Sequence, residues 1–361
     1  MVSIYLASTP LHILNSLAIA GKTEGEHHLI LIDQPDVEKN IYFELLSSWK
    51  FSPFSSTQIF QGRIKSAKAK LEQRKVLFQS LRLLVEQWKP DWILTGNDRR
   101  IEFQFMMHAC QDLGLQSQGA YMDEGTFTYV GRQASSGLGD KIIDNIIKKI
   151  SYGLWWSNPP TIGGSHWVKR IFAAYPNLVV NRLKSKDVID LKPFHRDNPS
   201  VDSFSEHFLG HFSFDHTSLA NVALLITTPH ESLIQKIPGY RDQLLDCIQQ
   251  ANKQGQSVAV KYHPRNTDPD ILGLKRTSGV SLIPSAIPFE LICPLMKDIT
   301  LVGDLSSTLI NASWLTPEVK VLALKVDSGN LKFDQLFNQL DIPVIEPVKL
   351  GDALAQLASE S

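Results

Sequence analysis

Short apolar runs alternate with longer stretches of helical periodicity along most of this chain. Val2–Ala7 has the continuous hydrophobicity of a strand buried on both faces. Ser8-Thr9-Pro10 then opens a helix, with a hydroxyl to cap it and a proline at a position that needs no backbone donor. Residues 29–32 predict a second strand, and residues 62–88 a helix with a basic beginning (Arg63, Lys65, Lys68, Lys70, Arg74, Lys75). A strand at 91–94, a helix at 100–113 and a strand edge at 120–122 continue the alternation. After a stretch at 190–217 rich in Pro, Ser, Asp, His and Phe, which reads as a domain linker, a second series begins. Its strands are Val222–Thr227, 258–262, Val280–Ile283, 299–303 and Lys320–Leu324, and its helices 239–254, 288–296 and Ser307–Leu315. Strand and helix in alternation argue for parallel sheets, and two successive series argue for two Rossmann-like domains.

At 361 residues the chain is long enough for two domains, which the linker divides into 1–205 and 206–361. With 43% hydrophobic and 20% charged residues it is an ordinary globular sequence, and a net charge of −1 gives no general attraction to nucleic acid. Cys110, Cys247 and Cys293 lie far apart with no metal spacing, which fits a reducing compartment. The opening lacks the pattern of a signal peptide, and no apolar run approaches the ~18 residues of a membrane span, so a cytoplasmic location is expected. Residues 139–156 combine Lys141, Lys148 and Lys149 with isoleucines at spacings of three and four, and then Trp155-Trp156. Such a segment suits either a core-facing helix or peripheral contact with a membrane surface.

Three polar groups stand where apolar runs end, the place at which open parallel sheets bind ligands. Asp123-Glu124-Gly125 offers a carboxylate pair; one is expected to face the crevice and accept a proton, while the other caps or pairs. Lys261-Tyr262-His263-Pro264-Arg265 offers an imidazole and two cations, with Pro264 stopping the ladder, and suits a phosphate. Ser306-Ser307-Thr308 precedes an apolar helix and reads as either an anion site or a plain cap; Ser8-Thr9 has the same two readings. Glu290, at the start of another helix, could hold ribose hydroxyls or simply complement the helix dipole. No His, Cys or carboxylate cluster has metal-ligand spacing, and neither a GxGxxG fingerprint nor a Walker loop is present.

The order of an acidic pair before glycine, a His-Pro step and a later Ser-Ser pair resembles the bacterial sialyltransferases, above all the capsular polysialyltransferase and lipooligosaccharide sialyltransferase groups. Ser8-Thr9-Pro10-Leu11-His12 also resembles the start of the lipooligosaccharide group. The resemblance implies a GT-B fold, two Rossmann-like domains facing each other across a cleft. The first would be the acceptor side carrying the base, and the second would bind the CMP-sugar. It implies inverting transfer of sialic acid from CMP-sialic acid to a hydroxyl of a bacterial surface glycan, with no metal or other cofactor. Asp123 matches the family's base and His263 its acid or phosphate partner. Ser306 and Ser307 match the groups on the donor phosphate, and Glu290 the ribose ligand. Donor contacts are further expected from Lys261, Pro264, Arg265, Thr308, Ser8 and Thr9. Two other readings stay open: the same fold using another CMP-nonulosonic acid or a UDP- or GDP-sugar, and a non-catalytic glycan- or membrane-binding component of capsule assembly.

Overall fold

The structure, a computed structural model, describes residues 1–62, 67–131, 148–149, 152–325 and 331–359. It divides into two compact units, Met1–Phe204 and Ser205–Ser361. Each unit is a parallel sheet with helices between its strands, and together they make the two Rossmann-like α/β domains of a GT-B protein.

Among the described residues the first unit holds seven strands: β1 (Val2–Ala7), β2 (Glu26–Gln34), β3 (Ser56–Gln61), β4 (Trp92–Thr95), β5 (Gln118–Met122), β6 (Val168–Ala173) and β7 (Asp187–Asp190). Their order is β3-β2-β1-β4-β5-β6-β7, with every pairing parallel. The central strands are apolar on both faces because helices cover both; Ile4, Leu6, Leu29, Ile93 and Tyr121 are all buried. The second unit repeats the winding with β8 (Val222–Thr227), β9 (Ser257–Lys261), β10 (Val280–Ile283), β11 (Thr300–Asp304), β12 (Lys320–Leu324) and β13 (Val344–Ile345) in the order β10-β9-β8-β11-β12-β13. Its core gathers Leu224, Ile226, Val260, Val302 and Leu322 from the sheet with Tyr240, Leu244 and Ile248 from the helix Tyr240–Lys253. In both sheets the chain starts in the middle, winds to one edge, returns and winds to the other. The strand order therefore reverses between β1 and β4 in the first unit, and between β8 and β11 in the second. Those are the points where a crevice opens at the carboxyl ends of the strands.

Several elements depart from the sequence reading. Strands β3, β6, β7 and β13 lie in stretches assigned to no element; β3, β7 and β13 border solvent and have only half-buried or exposed residues, so they lack the apolar run that marks a central strand. The linker at 190–217 is largely helical, with Lys192–His195 and Pro199–His211, because Phe204 and Phe208, one helical turn apart, are both fully buried. The division between units falls inside the second of these helices. The helix expected at 288–296 is two 3₁₀ turns, Phe289–Leu291 and Cys293–Leu295; Pro294 supplies no N–H to continue the first into the second.

The segment at 139–156 lies mostly outside the described residues, but its tryptophans do not. Trp156 is only 3% exposed, and Lys148 Nζ lies 5.1 Å from its ring centre. Trp155 meets Phe78 and Phe105 edge-on, each at 5.7 Å. Both rings pack within the first unit, Trp156 buried and Trp155 half-buried. In the basic stretch, Arg63 and Lys65 lie outside the described residues, and Arg74 forms an ion pair with Glu102 at 2.9 Å. Among the described residues no helix is long and apolar enough to cross a membrane.

Candidate functional site

In the second unit the reversal point is built closely. Thr227 ends β8 and its hydroxyl donates to the Val302 carbonyl at 3.3 Å. Gly303 lies opposite, and a Cβ there would overlap Thr227 Oγ1, so the two strands can approach only because position 303 carries no side chain. Thr228 continues the ladder by donating its N–H to the Lys261 carbonyl at 3.1 Å. Its own hydroxyl is buried and makes no hydrogen bond.

Lys261 is the last residue of β9 and only 5% exposed. Its ammonium donates to the carbonyls of Pro284 at 3.3 Å and Ser285 at 3.5 Å. Burial lowers its pKa to about 8, against the opposing attraction of Glu290. His263 follows, half-buried, and its Nδ1 accepts the Arg265 backbone N–H at 3.2 Å. Its pKa is lowered by burial first, and then by Arg265, His230 and Lys261. Pro264 and Arg265 are exposed, so Arg265 contributes charge at the rim and its backbone fixes the imidazole.

Sequence reasoning missed His230, which stands after β8 and directly faces His263. The two rings meet edge to face, centroids 5.4 Å apart. Glu231 ties the two turns together. Its N–H donates to Asn266 Oδ1 at 3.0 Å, and its carboxylate accepts from the Thr267 hydroxyl at 2.7 Å and the Thr267 N–H at 3.2 Å. The signal was readable, since Thr227-Thr228-Pro229-His230 closes an apolar run just as Lys261–Arg265 does.

On the other side of β8, Ser306 precedes the helix Ser307–Leu315 in the extended conformation of a cap, yet its side chain makes no capping bond. Ser306 and Thr308 are half-buried and Ser307 is exposed. The first amides of this nine-residue helix are therefore not taken up by Ser306. One turn on, Asn311 Nδ2 approaches Glu290 Oε1 at 3.4 Å, which brings Glu290 against the same helix; burial raises the Glu290 pKa. The ends of β9, β8 and β11 are neighbours, so Lys261 and His263, Thr228 and His230, and Ser306 line three adjacent strand ends.

In the first unit the acidic loop follows β5. Asp123 is 1% exposed. Its Oδ1 accepts the Gly125 N–H at 2.8 Å and the Thr128 hydroxyl at 2.8 Å, and its Oδ2 accepts the Ala174 N–H at 2.9 Å and the Tyr129 hydroxyl. Burial raises its pKa, and these four donors oppose that rise. Its backbone carbonyl accepts from Asn15 at 2.9 Å, and Asn15 Oδ1 is bonded in turn to His195 at 2.9 Å. Gly125, at φ 93°, makes the turn that brings Thr128 and Tyr129 back onto the carboxylate. A carboxylate with its four acceptor directions filled and no solvent access is a fastener for its loop. The sequence reading expected Asp123 to meet an acceptor hydroxyl; here its carboxylate is turned into the loop instead. Glu124, the next residue, is half-buried.

Ser8 and Thr9 serve the first helix. Thr9 caps it by accepting the His12 N–H at 3.3 Å, and the Ser8 hydroxyl lies 3.2 Å from His12 Nδ1. Burial holds the His12 pKa down to about 3, so that ring is neutral. Among the described residues, no group of three His, Cys, Asp or Glu side chains could hold a metal ion.

The model of the family described as alpha-2,8-polysialyltransferase (POLYST) matches residues 4–325. No curated protein matches the sequence. Among solved structures, the UDP-GlcNAc 2-epimerase of Methanocaldococcus jannaschii is similar at 14% identity and a TM-score of 0.53, covering 100% of this chain and 99% of that one. The UDP-GlcNAc 2-epimerase of Neisseria meningitidis bound to UDP-GlcNAc shares 15% identity at a TM-score of 0.50, covering 99% and 92%. Arabidopsis thaliana UGT89C1 complexed with UDP-L-rhamnose shares 12% identity at a TM-score of 0.51, covering 98% and 89%. At such identities these likenesses establish the shared fold.

Proposed function

We propose a donor and a reaction for this chain, which belongs to the alpha-2,8-polysialyltransferase family and is a glycosyltransferase. The donor is CMP-sialic acid, the acceptor is a hydroxyl of a bacterial surface glycan, and the sugar is transferred with inversion. The observation that carries this reading is the convergence of Lys261, His263 and the Ser306 helix start on neighbouring strand ends at the reversal point of the second sheet. A cation, an imidazole and a set of helix amides are the groups that a departing phosphate needs.

In the proposed reaction Glu124 accepts the proton of the acceptor hydroxyl. The oxygen attacks C2 of the sialic acid, the bond from C2 to the phosphate oxygen breaks, and its electron pair leaves with CMP. The transition state is oxocarbenium-like, as in inverting glycoside hydrolysis. Asp123, with its carboxylate in the Gly125–Ala174 network, holds the backbone that presents Glu124. Lys261 and His263 stabilise the phosphate as charge builds on it, together with the hydroxyls of Ser306, Ser307 and Thr308 and the amides of their helix. Arg265 adds charge from the rim. Glu290, steadied by Asn311, takes the ribose hydroxyls. These protein groups neutralise the leaving group without a metal.

Calorimetry with CMP, UMP and GMP tests the donor. CMP should bind at least about ten-fold more tightly than the other two, a difference of ~1.4 kcal/mol. Equal affinities, or a preference for UMP, would replace CMP-sialic acid with another nucleotide sugar.

A further inference from the structure

The two histidines at the ends of β8 and β9 share an arrangement that fixes their protons. The Ser232 N–H donates to His230 Nδ1 at 3.2 Å, and the Ser232 hydroxyl lies 2.9 Å from the same nitrogen. The Arg265 N–H donates to His263 Nδ1 at 3.2 Å. A backbone amide can only donate, so Nδ1 of each ring must be an unprotonated acceptor. The neutral ring then carries its proton on Nε2. Among the described residues no protein group accepts from either Nε2. Protonating either ring at Nδ1 would set two donors against each other. Protonating both would also bring two cations together, because the rings meet at 5.4 Å and 77°.

We infer that His230 is a second hydrogen-bond donor to the leaving phosphate, acting with His263 as a pair of neutral imidazoles. This rests on the phosphate-linked donor proposed above. The sheet order supports it, since β8 lies between β9 and β11. A phosphate held between His263 and the Ser306 helix start therefore lies over the end of β8, where His230 leaves the strand. The Glu231 latch to Asn266 and Thr267 keeps the two turns in register, so neither ring needs to be reorganised as the bond breaks. The charged groups around the pair are Lys261 and Arg265 beside His263, and Glu231, whose carboxylate is taken up by Thr267 and Asp268. Neither ring gives up its proton. The acceptor proton goes to Glu124, the new bond joins the acceptor oxygen to C2, and CMP leaves carrying the electron pair of the broken bond.

His230→Asn is the informative variant. Asparagine is among the best helix caps, so the Ser232 bond and the local fold survive while the Nε2–H is lost. Turnover of CMP-sialic acid should fall roughly 10²-fold, with CMP affinity and melting temperature close to wild type. His230→Ser, which also caps, should behave alike. The double variant with His263→Asn should lose less than the product of the two single losses, because the rings serve one phosphate. Wild-type turnover in His230→Asn, or a loss explained entirely by a lower melting temperature, would overturn the inference alone. A wild-type protein that neither binds CMP nor releases it from CMP-sialic acid would overturn the donor reading, and the inference with it.

Discussion

The Asp123 carboxylate accepts the Ala174 backbone N–H at 2.9 Å, which fastens the acidic loop after β5 to the end of β6. The same carboxylate holds Gly125, Thr128 and Tyr129. Two backbone amides among its donors cannot reverse their role, so an amide side chain at position 123 would set an N–H against an N–H.

Asp123→Asn and Glu124→Gln should therefore separate cleanly. Asp123→Asn should lower stability by about 1–3 kcal/mol, seen as a lower melting temperature, because it strands buried donors. Glu124→Gln should melt as wild type but lose transfer by about 10²-fold or more, with CMP binding retained. A stable Asp123→Asn protein without activity, beside an active Glu124→Gln protein, would return the base to Asp123.

In the proposed donor site, Lys261 should give CMP binding a pH dependence of definite sign. Burial lowers its pKa to about 8, so the ammonium is charged below that pH and lost above it. The phosphate of CMP is already a dianion at pH 7, its second pKa being near 6. CMP affinity should fall as pH rises through about 8. In Lys261→Met the affinity should be lower at pH 7 and nearly flat above it. Calorimetry between about pH 7 and 9.5 decides this, and a flat wild-type profile would remove Lys261 from the phosphate.

Gly303 and Thr227 form a pair that size alone controls. Gly303→Ala should cost about 1–3 kcal/mol because its methyl overlaps Thr227 Oγ1. Adding Thr227→Ala should recover part of that loss, since it removes the colliding atom. Chemical denaturation of the two single variants and the double variant measures the coupling, and strictly additive losses would contradict the packing described.

Trp156 is a core residue of the first unit. Trp156→Ala should lower stability by about 3–5 kcal/mol. A substitution that leaves the melting temperature unchanged would return the ring to a surface role.

The winding of both sheets was legible because their central strands are buried on both faces and read as uninterrupted apolar runs, Val2–Ala7 and Val222–Thr227 among them. Edge strands such as Ser56–Gln61 were not, because half-burial leaves a mixed pattern. The strand-end rule pointed to His263 and Ser306, and the structure sets them just beyond the ends of β9 and β11. The same rule covers His230, which was passed over because Thr228 and Pro229 separate it from the apolar run. For the acidic pair, alternation indicated that one carboxylate is turned inward, but not which. That choice depends on Ala174 and Tyr129, contacts 51 and 6 residues away that no local pattern contains.

The most direct test of the proposed transfer is a nuclear magnetic resonance time course of the wild-type protein with CMP-sialic acid and an oligosialic acid acceptor, in the presence of EDTA. Release of CMP should match growth of the acceptor one for one, and the new linkage should have the anomeric configuration opposite to that of the donor. Retained configuration, a dependence on added Mg²⁺ or Mn²⁺, or an acceptor unchanged by CMP-sialic acid but extended by a UDP- or GDP-sugar would contradict it.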